Sequence, residues 1–266
     1  MSTDAQYDAL KVEIDGAVAR LVLARPQKHN AFDDTVIAAL TIALQRVGND
    51  PAVRVVILAG EGKSFSAGAD LDWMRRMAEY GETENLADAR SLADMLRTLN
   101  ELPKPTIARV QGAAFGGGVG LVACCDIAVA SEAAIFCLSE ARLGLTPSTI
   151  SPYVVAAMGA HNARRYFLTA ERFDAAAAER IGLVHLVTAA DQLDHAVDDF
   201  VAKLLQNGPT AIAECKQLIR RVAGQSVDDA MIEDTAQHIA RVRASAEGKE
   251  GVRAFLEKRP AEWQSK

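Results

Sequence analysis

Twice in this chain an apolar strand runs into small residues and then into a helix. "VRVVILAG" (53–60) leads to "SFSAGAD" (64–70), and "TIARVQG" (106–112) leads to "GAAFGGGVG" (112–120). Each loop carries alanine or glycine just before the helix. That order of strand, loop and helix argues for an α/β chain with a substantially parallel element. The segment "ALKVEIDGAVARLVLARP" alternates apolar and polar residues about Asp15-Gly16, which predicts an antiparallel hairpin ahead of the parallel part. "DDTVIAALTIALQRV" has helical spacing, with Val36, Leu40 and Leu44 on one face and Asp33 or Asp34 as N-cap. "NLADARSLADMLRTLNEL" predicts an amphipathic helix closed by Pro103 and Pro105, and "DIAVAS", "AIFCL" and "LVHLV" predict further short strands. From Gln192 to Lys258 almost every segment has helical periodicity, which predicts a helical tail packed on the α/β body or on a neighbouring subunit.

Composition narrows the function classes. The 266 residues are half apolar and carry a net charge of −6, so a general nucleic-acid binder is not expected. "MSTDAQYDAL" lacks a basic stretch followed by an apolar core, and no apolar run reaches membrane length; a soluble cytoplasmic protein is expected, without membrane or nucleic-acid partners. Cys124 and Cys125, flanked by "GLVA" and "DIAVA", read as small buried residues rather than a disulfide framework. Five histidines without ligand spacing and the absence of C-x-x-C predict no metal site. His185, inside an apolar strand, reads as a hydrogen-bonded structural histidine. Gly62-Lys63-Ser64 lacks the opening glycine of a P-loop, since Ile57 stands there, and Leu121 stands where a dinucleotide fingerprint needs its last glycine.

The glycine loops therefore need a different reading. The first turn of a helix presents N–H groups without partners and the positive end of the helix dipole. Glycine lets a ligand atom approach those groups because no side chain intervenes. Two such loops brought together would aim two donors at one oxygen, as an oxyanion hole does. The alternative is that the glycines only permit close strand–helix packing.

The paired loops, with "LARPQKHNAF", "FCLSEARLGLTP", "ERFDAAAAERIGLVHLV" and "AFLEKRP" in the right order, resemble the enoyl-CoA hydratase/isomerase (crotonase) superfamily over nearly the whole chain. The resemblance implies a spiral of β-β-α units over residues 1–190, with a C-terminal helical trimerisation region over 191–266. It implies an acyl-CoA thioester as substrate, no separate cofactor, and a homotrimer or a dimer of trimers. By position, the N–H groups of Ala69 and Gly117 would hold the thioester oxygen. Lys28, Asn30, Ala67, Asp70 and Leu71 would line the CoA groove, and Lys258 would help with the CoA phosphates, from a neighbouring subunit if need be.

In hydratases of this family two glutamates face the double bond. Glu140 of "FCLSEARLG" matches one; the other would fall at Gly120. A positioned acid or base contributes about 10²–10⁴ in rate, so the two-glutamate mechanism does not carry over intact. One reading is a hydratase in which Glu140 works alone, with Asp72, Glu79 or a substrate carboxylate orienting water. The runs "FDDTVI", "DLDWMRRM" and "RLGLTPSTISPYVV" resemble bacterial 3-methylglutaconyl-CoA hydratase-like and gamma-carboxygeranoyl-CoA hydratase-like members, the former acting in leucine breakdown. Gly120 would then leave room for a branched substrate. A second reading is an isomerase with Glu140 as sole base; a third is a CoA-ester-binding subunit without turnover. Ser148, Thr149 and Ser151 are open between capping a helix and binding a polar acyl tail.

Overall fold

The protein is described by a computed structural model covering Gln6, Tyr7 and residues 9–264; most of the segment read for a signal peptide lies outside the described residues. Eleven strands and ten α-helices are found among the described residues. After the short β1 (Gln6–Tyr7), β2 (Leu10–Asp15) and β3 (Val18–Leu23) form the expected antiparallel hairpin, with Asp15 paired to Val18. The turn itself is Gly16-Ala17, one residue later than the sequence suggests, because Gly16 supplies the positive φ.

From there the chain repeats one unit. β4 (Val55–Gly60), β6 (Thr106–Val110) and β8 (Ile127–Ser131) add in parallel to β3. Each is followed by a three-residue strand in a second sheet: β5 (Ser64–Ser66), β7 (Ala113–Phe115) and β9 (Ile135–Cys137). Helices follow these short strands: α2 (Leu71–Ala78) and α3 (Glu82–Asn100), then α4 (Gly117–Cys124), then α5 (Ser151–Thr169). β10 (Arg172–Asp174) closes the small sheet in antiparallel fashion, α6 (Ala175–Arg180) follows, and β11 (Leu186–Thr188) ends the large one. The large sheet runs β1-β2-β3-β4-β6-β8-β11 and the small one β10-β9-β7-β5. Each β-β-α unit thus gives one strand to each sheet, which makes the α/β architecture a spiral.

The packing follows from the patterning. β4 is buried at all six positions, as a strand covered on both faces must be. α1 (Asp34–Asn49) is capped by Asp33, whose carboxylate accepts from the N–H groups of Thr35 and Val36, and it buries Val36, Leu40 and Leu44 as its spacing predicts. The main core fills the space between the sheets and α1, α3, α4 and α5. On the opposite face of the large sheet, α7 (Leu193–Leu205) packs Leu193, Val197 and Val201 onto Val55, Ile57, Ile107 and Val129. α8 (Pro209–Val222), α9 (Asp229–Ala244) and α10 (Ala246–Leu256) complete the helical tail. His185 falls just before β11 rather than inside a strand, and its ring accepts a hydrogen bond from Ala128 N–H at 3.1 Å, the structural role expected. No helix among the described residues is long and apolar enough to cross a membrane.

Candidate active site

The spiral places β5 and β7 side by side in the small sheet, so the two glycine loops that follow them meet. A Cβ on Gly68 would lie 3.4 Å from Gly117 N, which puts the loops in contact. Phe32 clamps the first loop: its N–H donates to Gly68 O at 2.8 Å, and its carbonyl accepts from Asp70 N–H at 2.9 Å. That bridge skips Ala69, whose own N–H donates to no backbone group among the described residues. Gly117 is the first residue of α4, where an N–H has no intrahelical acceptor. It has to be glycine here, since a Cβ would sit 2.3 Å from Phe32 Cζ.

Glu140 stands next to the second loop. Gly116 N–H donates to Cys137 O at 2.8 Å, fastening β7 to β9. Three residues later Glu140 opens a 3₁₀ turn (Glu140–Leu143). A Cβ on Gly116 would fall 3.1 Å from Glu140 Oε1, so the carboxyl lies directly over the glycine. Glu140 Oε2 is buried and has no hydrogen-bond partner among the described residues. Desolvation pushes this carboxyl above the usual carboxylate range, against a weaker opposing contribution from a backbone hydrogen bond. A native protein rarely buries an unpaired carboxyl, and such a group is suited to moving a proton.

Of the residues expected to line a CoA groove, Lys28, Asn30, Ala67 and Asp70 are brought together in one hydrogen-bonded knot, with Leu71 at its edge. Asn30 is buried; its Oδ1 accepts from Arg25 N–H, and its Nδ2 donates to the carbonyls of Glu61 and Ser64. Ala67 N–H donates to His29 O at 2.9 Å. Asp70 N-caps α2 through Asp72 N–H and accepts from Arg25 Nη2 at 2.8 Å and Lys28 Nζ at 2.9 Å. Burial by itself would raise Asp70, but the Lys28 hydrogen bond, the Asp72 N–H and the Arg25 charge outweigh it and hold the carboxyl at about 2. Leu71, beside this knot, is 68% exposed. Sequence reading missed Arg25, whose partners Asp33 and Asp70 are distant in sequence.

Lys258 lies elsewhere in the chain. It follows α10 in left-handed conformation, φ +54°, and the C-terminal segment is tied down by Arg54 Nη1 donating to Trp263 O. Arg54 precedes β4 whereas the first glycine loop follows it, so this segment docks at the far end of a six-residue strand. Asp72 is exposed and paired to Lys28 and Arg75, and Glu79 is exposed. Ser148 and Thr146 hydroxyls bond each other at 2.6 Å, and Ser151 Oγ donates to Ser148 O at 2.8 Å, so this turn is partly held by its own hydroxyls.

Gly120 corrects one expectation. The room it was expected to leave for a branched substrate is filled by protein: a Cβ there would fall 2.2 Å from Ile150 Cγ2. The space beside the helix is closed, a long-range fact that no local sequence pattern discloses.

Two arginines flank the end of β9, where both their charges act on Cys137. Arg142 is exposed two residues beyond Glu140, and the Arg172 guanidinium lies 5.4 Å from the Phe115 ring centroid, next to Gly116. Neither arginine forms an ion pair among the described residues.

A two-sheet spiral whose β-β-α units bring glycine loops together beside a desolvated carboxyl is the crotonase-like architecture. Comparison with known proteins agrees: the Enoyl-CoA hydratase/isomerase family model matches residues 13–266. The structure is similar to that of an enoyl-CoA hydratase from Shewanella pealeana, with TM-score 0.95 and 46% identity over 98% of this chain and 97% of that one. It is also similar to Pseudomonas aeruginosa AtuE, with TM-score 0.92 and 35% identity over 96% and 99% of the two chains. The crotonyl-CoA hydratase of Syntrophomonas wolfei is 33% identical over 98% of this chain and 99% of its own length. The chain belongs to the enoyl-CoA hydratase/isomerase family, and at that level it is an enzyme of acyl-CoA thioesters.

Proposed function

We propose that this protein is an enoyl-CoA hydratase in which Glu140 alone carries the proton. The observation that carries this reading is the buried, unpartnered Glu140 Oε2 beside the glycine start of α4. The ionised carboxylate takes a proton from water as the water oxygen bonds to C3 of the enoyl group. Charge then develops on the thioester oxygen, where the N–H groups of Ala69 and Gly117 stabilise it. The protonated Glu140 next delivers its proton to C2, so one carboxyl serves as base and then as acid. A carboxylate made more basic by desolvation suits the first step.

The favoured substrate is a branched enoyl-CoA carrying a carboxylate on its acyl chain. Two exposed guanidiniums at the end of β9, those of Arg142 and Arg172, support that preference, because an anionic acyl tail gains charge-assisted hydrogen bonds from such groups. Lys28, Asn30, Ala67, Asp70 and Leu71 form the CoA groove, with Asp70 acting as the internal counter-charge that fixes Lys28. Lys258 serves the CoA of a neighbouring subunit in a homotrimer or dimer of trimers. Exposed Phe255 and Leu256 at the end of α10 support that association. One observation favours a second reading, isomerisation by the same residue. Ile150 occupies the space that a second carboxylate from position 120 would need, and a proton shift between carbons needs only one base.

Incubating the pure protein with 3-methylglutaconyl-CoA, crotonyl-CoA and a 3-enoyl-CoA, followed by mass spectrometry, tests these readings. Gain of one water, fastest on the carboxylated substrate, is expected. A moved double bond without mass change would replace hydration by isomerisation. Tight binding without turnover would overturn both.

A further inference from the structure

The two amides read as donors to the thioester oxygen come from separate loops, and Phe32 touches both loops. On the first, Phe32 N–H donates to Gly68 O at 2.8 Å. That oxygen belongs to the same peptide unit as the Ala69 N–H. The unit is trans and planar, so the two groups point in opposite directions. Holding the oxygen therefore aims the Ala69 N–H away from the Phe32 main chain, and a hydrogen bond accepted at one end of a peptide strengthens donation at the other. The Phe32 carbonyl accepts from Asp70 N–H at 2.9 Å, so the peptides on both sides of the Ala69 Cα are held by one residue.

On the second loop the ring makes the contact. A Cβ on Gly117 would lie 2.3 Å from Phe32 Cζ and 3.2 Å from both Cε1 and Cε2, so the tip of the ring faces this glycine. The Gly117 N–H shares its peptide unit with Gly116 O, which accepts from Val119 N–H at 2.9 Å and Gly120 N–H at 3.3 Å. Its direction is thus set by α4, and its place by the ring on which the helix start rests. Phe32 is buried, and its ring centroid lies 6.4 Å from that of Trp73, which is also buried and whose Nε1 donates to Asp88 Oδ1 at 3.2 Å. We propose that Phe32 is the positioning residue of the oxyanion site, orienting the Ala69 N–H through its main chain and placing the Gly117 N–H through its ring. This rests on the reading of those two amides as the donors to the thioester oxygen.

Infrared difference spectroscopy of butanoyl-CoA, isotopically labelled at the thioester carbonyl, tests it without turnover. The carbonyl stretch is recorded on the native protein, on protein carrying phenyllactic acid in place of Phe32, and on Phe32→Leu. Phenyllactic acid keeps the ring and exchanges the N–H for an ester oxygen; leucine keeps the N–H and removes the ring tip. The native protein should lower the stretching frequency of the bound ester. Each variant should lose about half of that shift, because one of two donors is released in each. On crotonyl-CoA, kcat should fall by about 10–10²-fold, with KM changed by less than about threefold. Thermal melting establishes which variants fold, and either folded variant decides. Loss of less than about a quarter of the native shift, even with a lowered melting temperature, makes Phe32 a packing residue only; it overturns the proposal and leaves the two donors standing. Absence of a shift, or of binding, in the native protein overturns both.

Discussion

Asp70 and Glu140 are both carboxylates taken out of water, and they are treated in opposite ways. Asp70 accepts from Arg25, Lys28 and Asp72 N–H and is held at about 2. Glu140 Oε2 has no partner among the described residues, and burial raises its carboxyl. Asp70 thus stays ionised at any ordinary pH and serves as scaffold; its charge is already spent on fixed neighbours. Glu140 can change protonation state because nothing local holds its charge. The difference separates a residue that shapes the cleft from one equipped to react there.

The largest effect expected is at Glu140. Glu140→Gln should lower kcat/KM on an enoyl-CoA by about 10²–10⁴, while its melting temperature stays level or rises because a buried unpaired acid has been removed. Steady-state kinetics and a thermal melt on the same sample check this. Next comes the glycine start of α4. Gly117→Ala should cost on the order of 10²-fold in kcat, because its Cβ would drive into Phe32 and displace the amide. Phe32→Ala added to it should recover part of the loss.

Asp70→Asn should reverse the pattern, with a large stability effect and a smaller effect on kcat. It leaves the half-buried Arg25 without one of its two carboxylates, which is expected to cost about 3 kcal/mol and lower the melting temperature by roughly 6–12 °C. Acid should act on the two carboxyls in different windows. The folded value of Asp70 is depressed, so its contribution is fully present above the unfolded value of about 4. It is lost as pH falls through about 2. Glu140 is raised, so activity should fall at higher pH than Asp70-linked stability does. Parallel pH series of rate and melting temperature resolve the two windows.

Much of this was legible in the sequence. The hairpin, the Asp33 cap of α1 and the central strands β4, β6 and β8 of the large sheet follow from apolar patterning and from turn chemistry. Glu140 was legible as an acid at the end of a short strand. The strands β5, β7 and β10 were not, because three residues are too few to display an alternation, and two of them lie within stretches read as glycine loops. The Arg25–Asp70 pair spans 45 residues of sequence and leaves no local trace. Gly120 shows why a missing side chain is hard to interpret from sequence. It suggested open space, whereas Ile150 fills that space from another helix start, so Gly120→Glu should disrupt packing before it supplies a second carboxylate.

The most direct test is the pH dependence of kcat/KM on crotonyl-CoA for the native enzyme and Glu140→Gln. The native acid limb should be a single ionisation with its midpoint above the ordinary glutamate value of 4.5, and the limb should be missing from the residual activity of the variant. A native midpoint at or below 4.5, or the same limb in both proteins, would contradict a lone desolvated carboxylate as the proton carrier.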